Sequence, residues 1–530
     1  MKVNKKKRLL KLLLSLFLFI IVVLVYKRST SAYFEQDEWG TFGRYNYILS
    51  LDGKEFFGEI FRSGPFSHFT PLSLFSKMSL YKVFGLQAEY YFWVSIFFHS
   101  ITTVSVYLLL ITLSENIFAS FLGALFFGLN SSHHQAVTWI GTFEGVQGTV
   151  LFGVLSLIFL MKYLKKRQSI LLNISCLLIL FSLLFKEVGI TFYLCLISVL
   201  WFFDKKECRY HNILKYGFSF LIYIILHFTY IFFDTKAPNV LGEGQSFSVV
   251  STIYNFLSMP IKIFSQVLFP QELTLTIVRF LNDRNFLTEN LLFDLIMIPL
   301  GLLTIYFFYK NVRNNKKRRN FLIGILLIIL STIPLLPLNN KSILDSRFLY
   351  PATIGVSVLI VETINKKQYY IPILLFLFTS HALFLNKTIL RNVQIGEQRK
   401  EILKQIAIEF PILPKKVVFF VKSDTSYYGL PDEVKIMPFQ SGFGQTILMI
   451  YSQKENFPHD FFPGYYLWKL DSQGYREYDD RGFGYYREFD LLEKAVLENN
   501  LGSNSVIAFS WNSSKEELTN ITESIRMQLK

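Results

Sequence analysis

The chain has little cysteine and little charge. Three cysteines occur in 530 residues. Cys176 and Cys195 fall inside apolar runs and Cys208 lies in a basic loop, so neither a disulfide framework nor a thiolate metal site is visible. Only 18% of residues are charged, fewer than a soluble chain of this size carries. No glycine-rich nucleotide-binding loop is present, which argues against a soluble nucleotide as substrate. What fills the sequence instead is apolar: 52% hydrophobic and 17% aromatic residues, with a mean hydropathy of +0.35. Several stretches reach the ~17–25 apolar residues needed to cross a bilayer. The net charge of +15 sits in short basic clusters between those stretches, the placement of cytoplasmic loops and not of a nucleic-acid surface.

The first run, "MKVNKKKRLLKLLLSLFLFIIVVLVYKR", is long and has no small-residue cleavage site, so it reads as a retained span. The positive-inside rule then orders the rest. Span 1 (9–26) runs outward from "KKKR", and 27–88 stays outside, with "TPLSLFSKMSLYKVFG" as an interfacial helix. Spans follow at 90–112, 116–130, 146–162, 169–185, 188–203 and 213–233. The span at 290–309 must run inward to "KNVRNNKKRR", so the parity closes only if 249–270 is re-entrant or interfacial. Spans at 320–338, 350–363 and 369–386 bring the total to about eleven crossings. The expectation is an α-helical polytopic membrane protein over 1–390, with the N-terminus cytoplasmic, and a small extracytoplasmic α+β domain over 391–530.

In that last part acidic and basic residues nearly balance, so the excess positive charge belongs to the membrane part. "KKVVFFVKSD" and "NSVIAFSW" read as strands, and "SSKEELTNITESIRMQL" as an amphipathic helix opening on a serine cap. "YYLWKLDSQGYREYDDRGFGYYREF" reads as a hairpin with its turn near "DSQG", or else as an aromatic surface for carbohydrate.

Ionisable groups at membrane depth or at its edge are costly and tend to face a cavity. On this topology the notable ones all emerge outside. Asp37 and Glu38 follow span 1. His133, His134 and Glu144 lie in "NSSHHQAVTWIGTFEG", and Lys186 and Glu187 in the very short "LFKEVG" link. Asn339, Asn340, Lys341, Asp345 and Arg347 lie in "LNNKSILDSRFLYP". Singly, each has an ordinary explanation: a snorkelling lysine, a headgroup anchor, a hydrogen-bonding histidine in a turn. Together they place a proton acceptor and two phosphate-holding cations on one face, as a lipid-linked phosphate substrate would need.

"DEWG", "HFTPLSLFSKMSLYKVFGLQAEYYFWVSIFFHSITTVSVYLLL", "FFGLNSSHHQAVTWIGTFEGVQGTVLF", "LFKEVG" and "DSRFLYPATIGVSVL" together resemble the GT-C membrane glycosyltransferases. Within them the chain is most similar to the protein O-mannosyltransferase and TMTC-type branch. The resemblance covers roughly residues 10–385 and implies a polyprenyl- or dolichyl-phosphate sugar as donor. It also implies action on the outer or lumenal face, with inversion at the anomeric centre. The family's catalytic carboxylate falls on Asp37, with Glu38 beside it; its Lys-Glu step falls on Lys186 and Glu187, and its Arg-aromatic step on Arg347 and Phe348. TMTC relatives often carry Arg before "PL", where this chain has "HFTPL", so His68 or Thr70 stands in that place. The repeats those relatives carry at their C-terminus are absent. Some GT-C enzymes use a divalent metal and others do not; here Asp37, Glu144 and His133 or His134 are the candidate ligands. Acceptor protein, lipid or cell-envelope glycan all stay open, and an aminoarabinose-type lipid modifier is a close neighbour. The competing classes are a lipid-linked sugar flippase, which would carry charges at the midplane and on both sides, and a non-catalytic glycan-assembly protein.

Overall fold

Apolar runs in a bilayer must satisfy their own backbone groups, and a helix does so within one segment. The computed structural model of the chain describes residues 2–35, 38–62, 68–233, 249–282, 289–310, 315–336, 344, 346–364, 371–423, 443–462 and 473–530. A helix stands at every expected span: Lys2–Tyr26, Ala88–Ser114, Ile117–Gly128, Phe143–Lys166, Ser169–Phe185, Ile190–Phe203, Lys206–Phe233, Glu289–Lys310, Asn315–Leu330, Tyr350–Ile364 and Ile371–Glu409. Among the described residues seven helices are long and apolar enough to cross a membrane, and three shorter apolar helices accompany them. The Val249–Leu268 helix, which carries Pro260, is not among the seven. The protein is a polytopic helical membrane protein with a small sheet near its C-terminus.

The chain divides into two compact units. One comprises Met1–Lys27, Ile60–Lys77 and Tyr91–Ile389; the other comprises Arg28–Glu59, Met78–Tyr90 and Leu390–Lys530. The loop carrying the acidic pair therefore groups with the C-terminal region.

Water drives little association between apolar helices in a bilayer, so close contact and shared hydrogen bonds hold them together. Both devices occur in the first unit. Ser156 and Ser175 each donate to the other's carbonyl, at 2.8 and 2.7 Å, and Thr149 and Ser182 do the same at 3.1 and 2.8 Å. These reciprocal bonds lace Phe143–Lys166 to Ser169–Phe185. Between Asn315–Leu330 and Tyr350–Ile364 the backbones touch directly: a Cβ at Gly355 would lie 2.5 Å from the Gly324 carbonyl oxygen.

The second unit carries a five-stranded sheet of β1 (Lys416–Ser423), β2 (Gly474–Tyr478), β3 (Arg481–Tyr486), β4 (Val506–Asn512) and β5 (Glu517–Asn520), in the order β2-β3-β1-β4-β5. β1 runs parallel to β3 and β4, and β2 and β5 are antiparallel edges. Val417 to Val421 are buried without a break, as a central parallel strand covered on both faces requires. Two local expectations need correction. The hairpin turns at Asp479 and Asp480, with Asp479 at φ 54°, and not near "DSQG". The stretch after Ser513 is not one helix: Glu517–Asn520 is β5 and the helix begins at Thr522. Turn chemistry wins there, because the Asn512 carboxamide accepts from the Ser514 and Lys515 N–H groups at 3.0 Å and Glu516 sits at φ 53°.

Gly355→Val should force the two helices apart and destabilise the protein by roughly 1–3 kcal/mol or more. Gly217→Ala, where a Cβ meets nothing within 4 Å, should be neutral or mildly stabilising. Thermal unfolding of both purified variants checks this; equal midpoints would contradict the close-contact account.

Candidate functional site

The Ser169–Phe185 helix stops abruptly at Lys186, which is extended at φ −163°, ψ 146°. The chain then folds straight back: the Gly189 N–H donates to the Lys186 carbonyl at 2.9 Å. A Cβ at Gly189 would come within 2.9 Å of Ser182 and Leu183 backbone atoms, so only glycine permits so short a return. The turn places Lys186 on the wall of a small cleft shared with Arg347. Val146, Val188, Leu335, Phe348 and two prolines supply apolar walls, and Thr149 and Ser331 the remaining lining. The Arg347 guanidinium lies 4.4 Å from the Trp139 ring centre and 5.0 Å from that of Phe348, an arrangement that favours the cation and fixes its plane.

Burial pushes the Lys186 ammonium below its ordinary value; Glu187 works against that, while Arg347 and Lys77 add to it. The site therefore carries a concentration of positive charge, with Glu187 as its local counter-charge. Burial alone would raise the Glu187 carboxyl, but the hydrogen bond and charge of His68, with Lys186, overcome it and hold the carboxyl at about 2. The His68 Nδ1 to Glu187 distance is 2.6 Å, with both side chains partly exposed. Lys77, from the Pro71–Phe84 helix, donates to the Gly141 carbonyl and lies 3.8 Å from Glu144. Sequence reasoning missed Lys77, because a lysine on an interfacial helix looks like an ordinary solvated charge.

The structure thus brings Lys186, Arg347, Glu187 and His68 together, with Glu144 held through Lys77. It places the histidine pair differently. His133 is fully buried, bonded through Nδ1 to Thr353 at 3.1 Å and packed 4.8 Å from the Tyr350 ring. Burial, followed by His99, His381 and His134, keeps it well below its ordinary value. His134 bonds Thr138 at 3.2 Å, and burial lowers it to about 4. Neither lines the cleft. Neutral imidazole can ligate a metal, yet among the described residues no three His, Cys, Asp or Glu side chains converge on a common point. His133 and His134 are each bonded through Nδ1 to a threonine, Glu144 faces Lys77, and the fourth candidate ligand, Asp37, lies outside the described residues.

Asp37 lies outside the described residues, as do Asn339, Asn340, Lys341 and Asp345. Its neighbours in the second unit are described. Glu38 opens the Glu38–Leu49 helix and is buried, where the helix N-terminus favours a negative charge. Arg399, itself buried, bonds Glu35 at 3.2 Å. Burial lowers its guanidinium, and Glu35 and Glu38 counter that loss. In the same unit Phe34 meets Phe42 edge-on, with ring centres 4.8 Å apart, and Phe42 stacks on Tyr81 at 5.1 Å.

No family model matches the chain, and no curated protein matches its sequence. Solved structures do match. ArnT from Cupriavidus metallidurans, bound to undecaprenyl phosphate, aligns over 94% of this chain and 93% of its own, at a TM-score of 0.50 and 11% identity. Its apo state aligns over the same shares at 0.50 and 12% identity. At such identities the likeness is one of fold: this chain shares the fold of ArnT. The archaeal oligosaccharyltransferase AglB from Archaeoglobus fulgidus aligns over 82% of this chain and 63% of its own at 0.44 and 11% identity, too distant to carry further weight.

Two substitutions should move Lys186 in opposite directions. Glu187→Gln removes the contribution that raises its proton affinity, so the pH at which the free amine appears falls. Arg347→Met removes a like charge, so that pH rises. Acylation of Lys186 followed by mass spectrometry across pH measures both; shifts of the same sign would contradict the cleft electrostatics.

Proposed function

We propose that this chain is a membrane glycosyltransferase that moves a sugar from a polyprenyl-phosphate-linked donor to an acceptor hydroxyl on a protein, lipid or cell-envelope glycan. The observation that carries the reading is the pair Lys186 and Arg347 on one apolar-walled cleft. Two cations, with no acidic side chain among the described residues of the lining, suit a phosphate, and apolar walls suit the lipid that bears it. The likeness of fold to ArnT, whose solved structure holds undecaprenyl phosphate, supports it.

In this reading Lys186 and Arg347 hold the donor phosphate, Arg347 with its guanidinium plane set by Trp139. Glu187, paired with His68, limits the mutual repulsion of the cations. Asp37, assigned from the "DEWG" motif, takes the proton of the acceptor hydroxyl. The acceptor oxygen forms a bond to the anomeric carbon as the bond from that carbon to the phosphate oxygen breaks. The electron pair leaves with the polyprenyl phosphate, whose charge the two cations stabilise. One direct displacement inverts the anomeric centre. No step is routed through a metal. The finer assignments rest on the sequence alone: a mannosyl-type hexose, the protein O-mannosyltransferase or TMTC-type branch, a plasma-membrane location with a cytoplasmic N-terminus, and an extracytoplasmic C-terminal region.

Membranes bearing the wild type and single variants, supplied in turn with radiolabelled undecaprenyl-phosphate sugars, test this. Label should leave the lipid fraction in the wild type. Asp37→Asn should cut the rate by about 10²–10⁴-fold, and Lys186→Ala or Arg347→Ala should weaken donor use by roughly 10–100-fold. Wild-type rates in all three variants would refute the assignment. Label crossing the bilayer without covalent transfer would favour a flippase.

A further inference from the structure

Arg347 belongs to a short segment that is fastened from more than one direction. On one side, Gln135 takes part twice: its N–H donates to the Ser346 hydroxyl at 3.1 Å, and its side-chain carbonyl accepts from the Arg347 N–H at 3.4 Å. On another, Leu344, three residues before Arg347, is clasped at both backbone groups. Its N–H donates to the Gln266 Oε1 at 3.3 Å, and its carbonyl accepts from the Gln271 Nε2 at 3.1 Å. Gln266 is completely buried. A buried carboxamide facing a backbone N–H is expensive to leave unpaired, so such a contact holds its partner in register.

The element that carries Gln266 is the Val249–Leu268 helix, and it is itself anchored. Lys262 and Asp294 form an ion pair at 3.2 Å, and Tyr254 donates to the same carboxylate at 2.5 Å. Ser265 donates to the Met297 carbonyl at 2.7 Å. The carbonyls at its C-terminal end are taken up as well, Val267 by Asn130 at 2.9 Å and Leu268 by His381 at 3.2 Å. A helix tied this firmly to its neighbours makes a rigid mount for Gln266, and Gln271 opens the next helix, Gln271–Asn282, three residues on.

We propose that Gln266 and Gln271 are positioning residues for Arg347: by clasping Leu344 they fix where the guanidinium meets the donor phosphate. The proposal rests on the donor-phosphate reading of Arg347. It also assigns the Val249–Leu268 helix a role that its composition does not show. Removing a clasp frees the segment, so the guanidinium keeps its charge but loses its place, and the cost of a misplaced group falls on binding.

Equilibrium binding of undecaprenyl phosphate to the purified full-length protein tests it, with Gln266→Met, Arg347→Ala and the double variant. Gln266→Met should weaken binding by about 10-fold, yet change it by less than about 2-fold once Arg347 is already alanine, because two residues acting through one contact are not additive. Its elution volume should match that of the wild type, and its thermal midpoint should fall by no more than the loss of one buried hydrogen bond accounts for. In the transfer assay it should lower kcat/KM for the donor by a similar factor, and again change it by less than about 2-fold once Arg347 is alanine. Equal losses in both backgrounds, or wild-type binding by Gln266→Met, would overturn the inference. Wild-type binding by Arg347→Ala would instead overturn the donor-phosphate reading itself. Should Gln266→Met fail to accumulate, Gln271→Met, at a half-buried position, carries the same expectation.

Discussion

Two positive charges face one small apolar cleft, and much of the membrane unit can be understood as what that arrangement requires. Lys186 and Arg347 repel each other where there is little water to screen them, and removing an ion from water costs several kcal/mol even after relaxation. Among the described residues the protein offsets this without a carboxylate in the cleft lining. Arg347 rests on the faces of Trp139 and Phe348, and Glu187 stands beside Lys186 with its charge secured by His68. An anion in the cleft would complete the compensation. Two cations on apolar walls suit a phosphate guest.

The surrounding helices hold the cations in place against their repulsion. Serine and threonine pairs lace Phe143–Lys166 to Ser169–Phe185, the helix whose end carries Lys186. Interhelical bonds of this kind contribute only about 0.6 kcal/mol each, so several act together. The Gly324 and Gly355 contact brings backbones together where side chains would hold them apart. Tyr350–Ile364, which follows directly on the Arg347 segment, is thereby fixed. In the second unit a comparable logic applies to opposite charge: buried Arg399 secures Glu35 and compensates Glu38 in the loop after the first span.

Much of this was legible in the sequence, for identifiable reasons. Helical spans announce themselves because a bilayer demands uninterrupted apolar length, and a helix stands at each expected position. The short "LFKEVG" link was informative because a lysine and a glutamate with almost no loop around them have nowhere to go except a helix end. β1 and β4 were readable from dense β-branched and aromatic runs. Other features left no local trace. Lys77 acts at the site through the Gly141 carbonyl and Glu144, partners more than sixty residues away, and no periodicity records that. The clasp on Leu344 depends on two ordinary-looking glutamines. His133 and His134 draw attention as adjacent imidazoles, and their packing and hydrogen bonds to Thr353, Tyr350 and Thr138 come from elements distant in sequence or from the turn itself. The C-terminal helix was overextended because its propensity is real, and an asparagine-centred turn took the first half into β5.

The central claim is that the Lys186 and Arg347 cleft receives a lipid-linked phosphate. Photocrosslinking tests it most directly. An undecaprenyl phosphate carrying a diazirine near its phosphate would be irradiated with the membrane-embedded protein, and the adducts mapped by mass spectrometry. The account predicts adducts on peptides spanning 185–188, 331–335 and 347–351, suppressed by excess unlabelled undecaprenyl phosphate. Adducts confined to other helices, or labelling of these peptides that excess lipid phosphate does not compete away, would contradict it.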